Sequence, residues 1–338
     1  MRQLTCSGPG TLEWREVPAP RLEGDLEALV RPIAVARCDI DPFLCAGFFP
    51  QRGPFAVGHE CVGEVVELGA AVEGLAVGQR VAVSFQISCG RCASCAAGHS
   101  AICDRMPVLS DYGMQPLSGV EYGGMLSDLI RVPFARPMLE PVGELDPVGL
   151  ASVSDTVLDG YRAVAPHLRA QPGAEVLIAA HGLLSIPLYA AQAALALGAA
   201  RVDFASDNTE LLERAAALGA RALQTDFGRP EQRYPIVVDA GITPAGLAYS
   251  IRATRPEGTC QSVSSVPATQ IELPLVKMYT LGLRFFIGRC HATRLLPEVM
   301  SLIREGRLDP ARITTQVASW EDAPRAWLEP GIKLVVQR

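Results

Sequence analysis

The chain has 338 residues, long enough that a single hydrophobic core would ordinarily stop growing and divide into two domains. Its net charge of −6, with no run of Lys or Arg, excludes the basic footprint that nucleic-acid binding needs. The opening MRQLTCSGPG lacks the apolar stretch of a signal peptide, and no segment has the roughly eighteen uninterrupted apolar residues of a membrane span. Ten cysteines without a secretion signal point to a reducing, cytoplasmic compartment. Along the first half, short apolar runs such as Val62–Leu68 and Arg80–Phe85 lie between turn signals at Glu73-Gly74 and Val77-Gly78, which predicts a β-rich domain. After about residue 150 the pattern changes. EVLIAA (175–180) reads as a buried strand, and LYAAQAALALG (188–198) as a helix ended by Gly198. RVDFAS (201–206) is a second strand, and TELLERAAALG (209–219) a helix ended by Gly219. YPIVVDAG (234–241), AGLAYSIRATR (245–255) and GTCQSVSS (258–265) continue as strand, helix and strand. Such alternation predicts a doubly wound parallel sheet. LLPEVMSLIREGRL (295–308) is a last helix, in a tail of mixed character.

The densest chemical signal is CGRCASCAAGHSAIC, in which Cys89, Cys92, Cys95 and Cys103 occupy fifteen residues. Four soft thiolates at this spacing suit a closed, tetrahedral structural zinc. A second constellation combines Cys38, in VARCDID, with His59 and Glu60, in PFAVGHECVGEVVELG. A Cys, a later Gly-His-Glu-x-x-Gly-x-Val, a four-cysteine lobe and a Rossmann-like half follow one another over essentially the whole chain. In that order they resemble the zinc-containing medium-chain dehydrogenase/reductase family, the alcohol dehydrogenases.

The resemblance implies a GroES-like catalytic domain over 1–153 and 292–338, with the zinc lobe at about 86–105, and a Rossmann cofactor domain over 154–291. It implies two Zn²⁺ per chain. Cys38, His59 and Asp155 would hold the catalytic ion, with Glu60 as an alternate ligand, leaving one position for water or substrate. That ion would act as a Lewis acid on the oxygen of an alcohol or carbonyl during hydride exchange with NAD(P). Asp155, beside a helix start, fits either a ligand or an N-cap. Asp41 fits either the carboxylate that orients the zinc-bound histidine or a turn residue. Relatives of this kind are homodimers or homotetramers acting on small molecules. Cys6, Cys45, Cys61, Cys260 and Cys290 match no ligand position and read as small buried hydrophobes.

Three departures stand out. Ile40 replaces the Ser or Thr that would pass a proton toward solvent, so Asp39 or water must serve, or the reaction is not a plain alcohol oxidation. The dinucleotide loop reads Ala180-His181-Gly182-Leu183-Leu184-Ser185, keeping only the middle glycine, the one that lets the pyrophosphate approach. Ser206 replaces the acidic residue at the end of the second strand, with Asp207 next. Asp207 fits either the adenosine ribose or the cap of the following helix, and the absence of Arg or Lys beside it favours NAD over NADP. Together Ile40, Ala180 and Ser185 keep open an alternative, a non-redox or cofactor-independent reaction on the same fold and metal. Phe49 and Phe85, with Phe43, Phe48 and Ile87 as weaker candidates, fall on segments expected to line an apolar substrate pocket or to be core.

Overall fold

The computed structural model describes residues 1–49, 53–118, 122–263 and 270–338. The chain separates into two compact units, Met1–Leu158 with Cys290–Arg338, and Asp159–Arg289. The first is a mostly antiparallel β unit. The second is a doubly wound parallel sheet.

In the first unit a seven-stranded sheet runs in the order Gln316–Ser319, Leu334–Gln337, Ala28–Ala36, Glu60–Leu68, Arg80–Val83, Leu139–Pro141, and Ile130–Val132 also pairs with Ala28–Ala36. Ala28–Ala36 is apolar with little alternation because both of its faces are covered. Leu4, Phe55, Tyr112, Leu126 and Trp327 belong to the core that packs on this sheet. Register decides what meets at one end of it. Ala36 lies opposite both Glu60 and Val335. Arg37 and Cys38 leaving one strand, His59 entering the next and Lys333 entering the third therefore share a single end. Gly58 makes the turn into His59 with φ +90, and a Cβ there would press on the Leu126 amide and Val35 at 3.1 Å.

In the second unit six parallel strands are Val176–His181 (β1), Val202–Ser206 (β2), Arg221–Gln224 (β3), Tyr234–Gly241 (β4), Thr254–Ser262 (β5) and Arg284–Ile287 (β6), in the spatial order 3-2-1-4-5-6. Helices Ser185–Ala196 (α1), Thr209–Leu218 (α2), Pro244–Ala253 (α3) and Leu275–Thr280 (α4) connect them. The order reverses between β1 and β4, the crevice at which such sheets bind ligands.

Element boundaries differ from the sequence reading where local chemistry intervenes. α1 starts at Ser185, ahead of the expected Leu188, because Pro187 falls in the first turn, where no amide is needed. α3 ends at Ala253, and Thr254 and Arg255 open β5, since Pro256 disfavours a helical Arg255. The last helix spans Ala292–Arg304, and Gly306 at φ +69 stops it short of Leu308. Ser264 and Ser265, expected to end the fifth strand, lie outside the described residues.

Gly219 closes α2 at φ +105, and the nearest atom to a Cβ there is Leu195 Cδ1, at an ordinary 3.7 Å. Gly219→Ala thus adds backbone strain without a clash. It is expected to destabilise the protein by about 1 kcal/mol in urea unfolding. An unchanged midpoint would contradict the assignment of this residue as a left-handed cap.

Candidate active site

The shared strand end described above gathers a buried polar cluster in the first unit. One ligand atom each from Cys38, His59, Glu60 and Asp155 lies within 4.8 Å of the others, and all four residues are buried. Asp155 immediately precedes the helix Thr156–Ala170, and its Oδ2 is 3.2 Å from His59 Nε2. That separation is close to the edge of a tetrahedron with bonds of about 2.0 Å to a central ion. Asp41 lies beside both Cys38 and His59. Its Oδ2 accepts the Cys38 amide at 2.9 Å, and its Oδ1 faces His59 Nδ1 at 3.4 Å, longer than a good hydrogen bond.

The charges in this pocket pull against one another. Burial drives the Cys38 thiol well above its ordinary range, and the charge of Asp155 adds to that. Burial opposes protonation of His59, yet the charge of Asp41 and the hydrogen bond to Asp155 raise its pKa well above normal. Burial also penalises the Asp155 carboxylate, but hydrogen bonding and charge from His59 outweigh it and hold the pKa low. A thiol, an imidazole and a carboxylate packed together are the donor types a divalent zinc takes, and such an ion would compensate the buried negative charge directly.

Glu60 is held differently from the other three. Its Oε1 accepts the Thr156 amide at 3.1 Å, and its Oε2 accepts Lys333 Nζ at 2.6 Å. Lys333 is fully buried and also donates to the Arg37 carbonyl at 2.9 Å and to Thr156 Oγ1 at 2.8 Å, so all three of its donors are used. Burial raises the Glu60 pKa to about 7 even though Lys333 lowers it. Lys333 is a site residue that the sequence reading missed. The only trace of it is one lysine directly ahead of the apolar strand Leu334–Gln337.

Around this cluster, Phe85 is buried with its ring centroid 5.9 Å from that of His59. Phe49 and Ile40 are half-buried and pack on the core, Ile87 is within it, and Phe48 is exposed with its ring edge-on to Phe43.

The four lobe cysteines also converge, with one sulfur each within 4.8 Å of the rest. Cys92 and Cys103 sulfurs are 3.8 Å apart, the edge of a tetrahedron with Zn–S bonds of about 2.3 Å. The Cys89 amide donates to Cys103 Sγ and the Asp104 amide to Cys92 Sγ, both at 3.4 Å. Burial would raise the Cys89 thiol, but the Arg91 and Cys92 amides prevail and bring it down to about 7. Asp104 further ties the lobe by accepting the Ser94 amide at 3.1 Å.

In the second unit, Ala180 lies in β1, one residue before its end, and Gly182, Leu183 and Leu184 form the turn into α1. Gly182 has φ +123, and a Cβ would collide with Ile242 Cγ1 at 2.5 Å, so the one surviving glycine is required here. Ser206 is buried, donating to the Ala180 carbonyl at 2.9 Å and accepting the Asn208 amide at 3.2 Å. Asn208, not Asp207, caps α2, and Asp207 is exposed at the end of β2.

Removing Lys333 would leave the Glu60 carboxylate buried without a cation. Lys333→Ala is expected to destabilise the protein by about 3–5 kcal/mol, and pairing Lys333→Met with Glu60→Gln to recover much of that loss in thermal unfolding. Equal losses in the single and paired variants would show that the two groups are not coupled.

The family model for the alcohol dehydrogenase GroES-like domain matches residues 24–141. A probable zinc-binding alcohol dehydrogenase of Mycobacterium tuberculosis is 29% identical over 97% of this chain and 84% of its own length. The medium chain reductase/dehydrogenase ucsI of an Acremonium species is 30% identical over 68% of this chain and 78% of its own. Among solved structures, alcohol dehydrogenase TADH from Thermus sp. ATN1 superposes with a TM-score of 0.90 at 28% identity, covering 100% of this chain and 99% of that one. The order of the two cysteine-containing sites, the antiparallel unit that carries both, the doubly wound sheet of the second unit and these relatives agree, and the chain belongs to the zinc-containing medium-chain dehydrogenase/reductase family of oxidoreductases.

Proposed function

We propose that the protein is an NAD(P)-dependent dehydrogenase of the alcohol dehydrogenase type (EC 1.1.1.-), acting on a small alcohol or the matching aldehyde or ketone. The observation that carries this reading is the convergence of Cys38, His59 and Asp155 beside a Glu60 that Lys333 ties back. Three donors hold an ion and leave a fourth position for substrate. In this reading zinc supplies Lewis-acid polarisation of the substrate oxygen, and the nicotinamide supplies or accepts the hydride. Asp41 orients His59, and Glu60 stands by as an alternate ligand. Phe85, and Phe49 more peripherally, give the pocket an apolar wall. The four lobe cysteines hold a second, closed zinc, making two per chain. Residues 154–291 act as the dinucleotide domain, with 1–153 and 292–338 as the catalytic one.

Gly182 and the start of α1 receive the pyrophosphate. Asp207, with no Arg or Lys among Asn208, Thr209 and Glu210, favours NAD over NADP. No disulfide joins the cysteines among the described residues, in keeping with a reducing, cytoplasmic setting. No helix among the described residues is long and apolar enough to cross a membrane. The non-redox alternative is not favoured by the relatives described above, which are named as dehydrogenases.

Self-association is supported by an apolar edge in the second unit. β6 is the end strand of its sheet, with Ile287 70% exposed, and on α4 Val276 and Tyr279 are 79% and 85% exposed. A second copy pairing along β6 would cover it, as in a homodimer or a dimer of dimers.

Two measurements test these readings. Purified protein is expected to contain two zinc ions per chain and to quench on NADH addition. His59→Ala should lose one zinc and all turnover of alcohols while keeping the lobe zinc, and Cys92→Ser should lose the other ion. Two zincs with no binding of NADH or NADPH would sink the dehydrogenase reading and restore the non-redox one. In sedimentation, Ile287→Lys is expected to shift the protein to a smaller species, and no shift would place the interface elsewhere.

A further inference from the structure

The loop that lost two glycines carries a histidine where the fingerprint leaves the residue free. His181 ends β1 and is 3% exposed. Its Nε2 donates to Asp239 Oδ1, on β4, at 2.7 Å. Its Nδ1 accepts from Thr243, the N-cap of α3, whose hydroxyl lies at 3.0 Å and whose amide lies at 3.3 Å. The Thr243 oxygen itself accepts the Gly246 amide at 3.1 Å, which leaves its hydrogen for the imidazole and sets the tautomer with hydrogen on Nε2. Asp239 is fully buried, and its other oxygen accepts Ser262 Oγ, on β5, at 2.7 Å.

The space for this ring is built into the sequence. A Cβ on Gly241 would lie 2.1 Å from His181 Nδ1, and a Cβ on Gly246 would lie 2.1 Å from its Cγ. Neither glycine has a left-handed φ, so the backbone does not require either one. Gly246 lies inside α3, where alanine is the better helix former. Room for the imidazole is the reason left for both. The backbone follows the same path: the Ile242 amide donates to the His181 carbonyl at 3.1 Å, and Gly182 bridges to Gly241.

We infer that His181, Asp239 and Thr243, seated in the slot opened by Gly241 and Gly246, form a latch that joins the ends of β1 and β4 and presets the turn at Gly182 for a dinucleotide. His181 is a positioning residue that does not touch the cofactor. The inference rests on the dinucleotide reading above. In other Rossmann loops the first and third glycines allow the turn and the close packing of the helix. Here Ala180 and Ser185 occupy those places, and the latch holds the turn in their stead. A loop already ordered before the ligand arrives loses less entropy on binding.

The test uses the full chain. His181→Ala is expected to weaken NADH binding by about tenfold, the scale of losing preorganisation in one loop, with zinc content unchanged. His181→Gln, which keeps a donor for Asp239, should recover most of that loss, whereas His181→Leu, which fills the slot without a donor, should not. A second arm needs no cofactor. Gly246→Ala should lower the thermal midpoint in the wild-type background but raise it, or leave it unchanged, in the His181→Ala background, where the methyl fills the vacated slot and favours the helix. Gly246→Ala equally harmful in both backgrounds would overturn the slot. NADH binding as tight in His181→Ala as in the wild type would overturn the positioning role. Wild-type protein binding neither NADH nor NADPH would remove the dinucleotide reading and the positioning role together, whereas a binding wild type with indifferent variants removes the latch alone.

Discussion

A carboxylate with no exposed surface must have its charge met inside the protein, and in the first unit Glu60 imposes that condition on everything near it. Lys333 meets it, and the lysine can do so because the strand Leu334–Gln337 pairs with Ala28–Ala36 in a register that brings residue 333 to the end where Glu60 begins its own strand. The third proton of the ammonium goes to the Arg37 carbonyl, one residue before Cys38. A contact between residues 273 positions apart therefore shapes the backbone that presents the thiol. Glu60, tied to Lys333, still lies with Cys38, His59 and Asp155 in one cluster whose ligand atoms are within 4.8 Å of one another.

The two cysteine-bearing sites show two ways of placing soft ligands. In the lobe, four sulfurs come from fifteen consecutive residues and need only local turns and amide donors to converge. In the other site, residues 38, 59 and 155 come from separate strands and a helix start, so the whole sheet must form before they meet. The first arrangement is closed by sulfur on every side. The second mixes a thiol with a carboxylate and an imidazole, and in the function proposed above that set leaves a position for chemistry.

In the second unit a comparable economy operates with uncharged groups. The turn after β1 lacks two glycines of its fingerprint, while two glycines elsewhere, at 241 and 246, make room for the His181 ring. The hydroxyl of Ser206, standing where an acidic residue was expected, ties the end of β2 to β1 through the Ala180 carbonyl instead of facing outward.

Much of this was legible in the chain alone. The alternating apolar runs and helical stretches predict β1, α1, β2, α2 and β4 because buried parallel strands and Ala/Leu-rich helices have strong local signatures. β3 and β6 carry no such signal, since these short edge strands are mostly exposed. The lobe was visible because its ligands are neighbours in sequence, and Cys38, His59 and Asp155 were found through likeness to a family. Lys333, the slot around His181 and the choice of Asn208 over Asp207 as the cap were invisible. Each depends on register or on the distance between side chains far apart in sequence, and only the folded sheet sets those. Sequence by itself determined the residue types and the order of the elements. Tertiary structure alone decided which charges face each other, because pairing register, not spacing along the chain, brings them into one buried place.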